Sequence, residues 1–118
     1  MKIRLGEIAH ARSGDKGTGA NIGILAYNKE GYNFLYHSLT ADKVAEFFAP
    51  LDPGEITRYE LPNLNAFNFI LPQVLAGGGS RSLRIDAQGK TLGQALLEFE
   101  FKLDKRLGMD LDQLKQRD

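Results

Sequence analysis

Apolar positions along this chain fall into short runs separated by glycine, proline and asparagine. Each run has a period that predicts an element. Ile3, Leu5 and Ile8 suggest a first strand, and residues 21–27, NIGILAY, predict a second. Residues 28–31 then read as a turn. Ala41, Val44, Ala45 and Phe48 recur at helical spacing behind a Thr40 cap, and Pro50 ends that helix. Residues 55–61, EITRYEL, alternate as a strand, with Ile56, Arg58 and Glu60 on one side and Thr57, Tyr59 and Leu61 on the other. The most apolar stretch predicts a helix capped by Asn63 or Asn65 and running to about Ala76, kinked at Pro72 and ended by Gly77, Gly78 and Gly79. Residues 82–85 suggest a short strand. Thr91 and Gln94 have the spacing of a capping box ahead of Leu92, Ala95, Leu96 and Phe99. From Leu97 to Leu103 the pattern alternates, so helix and strand both stay open there. In the charged tail, Leu107, Leu111 and Leu114 would share one helical face.

Short strands interspersed with helices predict an α+β fold: a two-layer sandwich, ferredoxin-like, with about four strands and the helices on one face. Residues 1–103 are expected to form one domain, followed by a charged C-terminal tail or short helix over 104–118. A two-layer arrangement leaves one sheet face needing cover. A homo-oligomer, a docked partner or the folded-back C-terminal segment would supply it.

Composition narrows the function. Hydrophobic residues make up 42% and charged residues 25%, enough apolar mass for one core. With no cysteine, disulfides, thiolate nucleophiles and cysteine-ligated metal centres are excluded. Fifteen cations balance fifteen anions, which argues against nucleic acid as a partner. No apolar run approaches the roughly 20 residues of a membrane span, and the N-terminus has no signal-peptide pattern. A cytoplasmic protein with no membrane partner is expected.

The densest chemistry lies in HARSGDKGTGANIG, residues 10–23. Arg12 offers a forked donor, Ser13 a hydroxyl and Lys16 an ammonium, while Gly14 and Gly17 permit close backbone approach. With Asp15 and Asn21 they make a candidate site for a small carboxylate or phosphate. The competing reading is a plain connection between strands with its charges in water. Neither a Walker loop nor a dinucleotide fingerprint is present, and no cofactor is indicated. His10, Ser13 and Asp15 are a poor triad, because a triad is set by geometry and these lie within six residues. Two histidines without a close acidic pair make a poor metal site. Asn65 and Asn68 would share a helix face, either clamping backbone or lining a pocket. Arg81 and Arg84 follow the triple glycine, and Arg81 would complete a composite anion site with Arg12 and Lys16.

Three segments in order, HARSGDKG with ANIGI, RYELPNLNAFNFIL, and GGGSRSLRIDAQGKTLGQALLEFE, resemble the small C-terminal domain of AtuA-type proteins, associated with acyclic terpene utilisation in bacteria. The resemblance spans about residues 10–100 and implies a ferredoxin-like fold, found in that family also as a stand-alone chain. It implies an accessory protein-interaction or oligomerisation module resembling a detached subunit, with a larger AtuA-type protein as partner. The alternative is a site for a small anion or acyl-type ligand, enzymatic only when a partner completes it. Arg12, Ser13, Gly14, Asp15, Lys16, Gly17, Ala20 and Asn21 match the family's loop. After Gly17 the family's carboxylate is missing, because Thr18 and Gly19 stand there.

Overall fold

A computed structural model describes residues 2–16, 19–73, 91–102 and 111–117, with Asp15 and Lys16 placed by their backbone register. Six strands occur among them: β1 (Lys2–Arg4), β2 (Ala9–Lys16), β3 (Gly19–Ala26), β4 (Thr57–Leu61), β5 (Ala66–Leu71) and β6 (Glu100–Lys102). The helices are α1 (Lys29–Ser38), α2 (Ala41–Phe47), α3 (Leu92–Leu96) and α4 (Leu111–Lys115). The main sheet has the order β2-β3-β5-β4 and is antiparallel throughout, while β1 and β6 pair in a separate two-stranded sheet. The fold is α+β and ferredoxin-like.

The two central strands set the layers. Along β3, Ala20, Ile22, Ile24 and Ala26 are buried, and along β5 so are Phe67, Phe69 and Leu71. The period of two sends these side chains to one face, where they meet Leu35, Leu39, Val44, Phe48, Leu92 and Leu96 from the helical layer. Tyr32 of α1 stacks on Phe67, with ring centroids 4.7 Å apart and planes 10° apart. Removing either ring would open a cavity in the middle of the core.

Four sequence expectations are corrected by this arrangement. Residues 28–31 are a helix start, not a turn: the Asn28 side chain accepts a hydrogen bond from the Gly31 backbone N–H at 2.7 Å and caps α1. Asparagine suits both roles, and the spacing of Tyr32, Leu35 and Leu39 decides between them. Residues 66–71 are a strand, not a helix. A short apolar run fits either element, and here Pro72 ends it after six residues of alternating burial. Residues 9–16 and 19–26 form a β-hairpin rather than a loop feeding one strand. The first strand is confined to residues 2–4, and Leu5–Glu7 form a 3-10 turn. The open choice at 97–103 resolves into strand at 100–102, and Thr91 and Gln94 form the expected capping box. The expected strand at 82–85, the glycines at 77–79 and Leu107 lie outside the described residues.

The C-terminal helix is tied to the core by one buried polar side chain. Asn28, 2% exposed, donates through Nδ2 to the Gln113 and Gln116 carbonyls at 2.6 and 2.7 Å while its Oδ1 caps α1. One amide thus satisfies the start of one helix and the end of another, where orphan groups would otherwise be left. Leu114 is buried in the core cluster beside this contact. Lys115 approaches Glu7 at 3.6 Å, and Glu7 also accepts from the Arg4 backbone N–H at 2.7 Å. The Arg4 amide first, and then Lys115, hold the Glu7 carboxyl below its ordinary value of 4.5.

Asn28→Ala removes a cap and two buried donors, and is expected to lower stability by about 2–3 kcal/mol in a denaturant melt. Because the Glu7 pKa is lowered on folding, its contribution is present above about pH 4.5 and is lost as pH falls through the folded value. Glu7→Gln should therefore flatten the acid limb of stability against pH, measured by thermal melts from about pH 3 to 7.

Candidate functional site

The sheet face opposite the core carries three of the polar candidates, Arg12, Asn21 and Asn68. Strand alternation places His10, Arg12 and Gly14 of β2 outward, with Asn21, Gly23 and Leu25 of β3, Asn68 and Ile70 of β5, and Thr57, Tyr59 and Leu61 of β4. The register orders them into rows across the strands. One row runs Arg12, Gly23, Asn68, Tyr59; a second runs Gly14, Asn21, Ile70, Thr57; a third runs His10, Leu25, Ala66, Leu61. Lys16 pairs with Gly19 at the end of β2 by backbone register.

Two glycines keep this face low. A Cβ on Gly14 would lie 2.7 Å from Asn21 Oδ1, so the bare glycine leaves room for that amide. Gly23 is different, since a Cβ there would meet only the Arg12 carbonyl at 3.9 Å. Gly23 therefore leaves a one-residue gap between Arg12 and Asn68. Asn21 donates through Nδ2 to Asn68 Oδ1 at 3.1 Å, a diagonal bond between the two central strands. With its oxygen engaged, Asn68 presents its amide N–H groups. Arg12 is exposed and makes no hydrogen bond or ion pair with any described residue. Asn68 thus binds another side chain on the outward face and not, through this bond, the backbone.

Ser13 departs from the group. It faces the core layer, and its hydroxyl accepts the Gly93 backbone N–H at 2.6 Å, seating the start of α3 on β2. It therefore stands on the opposite face from His10 and Arg12, and the triad geometry is absent. His10 stacks on Tyr27 at 5.9 Å, and Arg117 lies over the same tyrosine at 4.4 Å. Asn65 belongs to the connection between β4 and β5, at φ 52°, and its carbonyl accepts the Ala26 N–H at 2.9 Å. It is a turn residue, and it does not share a helix face with Asn68. Gly17, Arg81 and Arg84 lie outside the described residues, and Asp15 is placed only by its pairing with Ala20.

Arg58 is a residue that sequence reasoning passed over. It points inward from the edge strand β4, lies over the rings of Tyr36 and Phe67, and donates to the Tyr36 and Leu39 carbonyls at the end of α1. Its ion pair with Glu60, at 2.6 Å, completes the contact. The alternation over 57–61 already placed both residues on one side. Their neighbours on α1 were invisible because only a turn at 28–31, with no helix after it, was expected there.

A separate cleft of about 350 Å³ lies between α2 and β6, lined by Ser38, Lys43, Glu46, Phe99, Glu100, Phe101 and Lys102. Its two cations and two carboxylates give it no single sign, and none of the sequence candidates lines it. Among the described residues, no group of three or more histidine, aspartate or glutamate side chains could hold a metal, and no helix is long and apolar enough to cross a membrane.

The chain belongs to a family of small sheet-and-helix domains, the AtuA ferredoxin-like domain, whose family model matches residues 3–102. No curated protein and no solved structure matches it.

The two glycine contacts of the hairpin differ in kind. A Cβ on Gly19 would meet the Leu71 and Pro72 carbonyl oxygens at 2.6 and 2.8 Å, which are backbone, whereas Gly14 faces a rotatable amide. Gly19→Ala is expected to cost about 1–3 kcal/mol by forcing β3 and β5 apart. Gly14→Ala should cost less and should break the Asn21–Asn68 bond. Denaturant melts and the Asn68 side-chain amide resonances check both.

Proposed function

We propose that this chain is a docking module that binds a partner protein on the open face of its main sheet. The observation that carries the reading is the exposure of Tyr59 (55%), Leu61 (41%) and Leu64 (65%), which sit together on the β4–β5 hairpin. Leu25 and Ile70, half-buried beside them, extend the apolar area toward the sheet centre. Clustered apolar residues of this size mark an interaction surface rather than ordinary solvent contact. Among the described residues the face is the outer side of four strands with glycines at Gly14 and Gly23, an arrangement that suits a protein surface better than an enclosed small-molecule site.

Charge favours a partner over a second copy. Among the described residues that point outward from the four strands, Arg12 is the cation and no carboxylate occurs. A two-fold dimer through this face would bring like against like and leave Arg12 without an anion. A larger AtuA-type subunit that presents apolar residues beside a carboxylate would satisfy both halves of the face.

Light scattering of the purified chain, alone and co-expressed with a large AtuA-type subunit, tests the reading. The chain alone should have the mass of one copy, 13.1 kDa. The complex should survive gel filtration and be lost in the double variant Leu61→Glu, Leu64→Glu, with the melting temperature little changed because both sites are exposed. A dimer abolished by the same substitutions would show that the face joins copies instead. A complex indifferent to them would place docking elsewhere.

A further inference from the structure

We infer that the row Arg12, Gly23, Asn68, Tyr59 is a carboxylate subsite within the docking face, and that its occupant is an aspartate or glutamate side chain of the docking chain. The inference deepens the docking reading and rests on it. The four residues are consecutive in register across β2, β3, β5 and β4. Strands lie about 4.8 Å apart, so Arg12 and Asn68 stand roughly 10 Å from one another with only glycine between them. That gap admits one planar group lying on the backbone of Gly23.

Donors surround the gap. Arg12 supplies a guanidinium that pairs with no described residue and whose fork matches a carboxylate. Asn68 has its oxygen held by Asn21 at 3.1 Å, which leaves its N–H groups as the outward function. Tyr59, 55% exposed, adds a phenol at the far end of the row. A set made of donors, with one fixed positive charge and no described carboxylate on the face, selects an anion over an amide of the same shape. In the neighbouring row, Leu25 and Leu61 are apolar and accept the residues that flank the acidic side chain in an extended segment.

The test uses two capped peptides, acetyl-Leu-Glu-Leu-amide and acetyl-Leu-Gln-Leu-amide, titrated into the ¹⁵N-labelled chain. The glutamate peptide should give saturable shifts at the Gly23 amide, the Asn68 side-chain amide and the Arg12 Nε–H. It should bind about threefold or more tightly than the glutamine peptide, a preference reduced by added salt. Arg12→Gln should erase the preference. So should Gly23→Val, which fills the gap where a Cβ meets open space and so leaves the fold intact. Equal binding of both peptides, with shifts at Tyr59 and Leu61 but not at Gly23, would overturn the subsite and leave the docking face standing. No shift on the face with either peptide would overturn both. Sodium acetate binding as tightly as the glutamate peptide would assign the site to a free small acid and overturn the proposal.

Discussion

Everything in this domain depends on the pairing of β3 with β5. The two strands run antiparallel from Ala20 opposite Leu71 to Leu25 opposite Ala66 and occupy the centre of the sheet. Their inward residues, Ile22, Ile24, Phe67 and Phe69, are all fully buried and anchor the helical layer. The same pairing sends Asn21, Gly23, Asn68 and Ile70 to the other side. A period of two allows no compromise: a strand that commits its large side chains to one face commits its alternate positions to the other. The core and the candidate site are two faces of one register.

Polar groups divide along the same line. Inward-pointing ones are engaged in structure. Ser13 seats α3, Arg58 closes α1 beneath the Tyr36 and Phe67 rings, and Asn28 joins the start of α1 to the end of α4. Buried polar atoms cost free energy unless paired, and these are paired. The outward-pointing Arg12 has no such engagement, and Asn68 is engaged only through its oxygen. A cation, a directed amide and an exposed tyrosine therefore remain at one level of the sheet. Strand register places them there.

Much of this was legible in the sequence, and the misses share a cause. The family resemblance, the α+β class, the Thr40 and Thr91 caps and the alternation of 57–61 all hold. Arg12, Asn21 and Asn68 were singled out and do meet on one face, though as strand residues rather than loop and helix residues. Two elements were misread because their residues serve two conformations: Asn28 suits a turn or a cap, and 66–71 suits a strand or a buried helix. Once 66–71 becomes a strand, Asn65 and Asn68 part company and Asn68 pairs with Gly23. Gly23 was legible only as one of several glycines in residues 10–23 that allow close backbone approach, whereas its importance is the absence of a side chain between two residues distant in sequence. Ser13 was placed in the site by proximity, and one residue of strand alternation removes it.

The outward face of the main sheet should be open to solvent in the free chain while the inward face is sealed. Paramagnetic broadening by a neutral gadolinium chelate reads that difference residue by residue in solution. Strong broadening is expected at Asn68, Tyr59, Leu61 and the Ile70 methyl groups, and little at Ile22, Ile24, Phe67 and Phe69. Equal protection of both faces would mean that the outward face is already covered, and the docking face would have to be sought elsewhere.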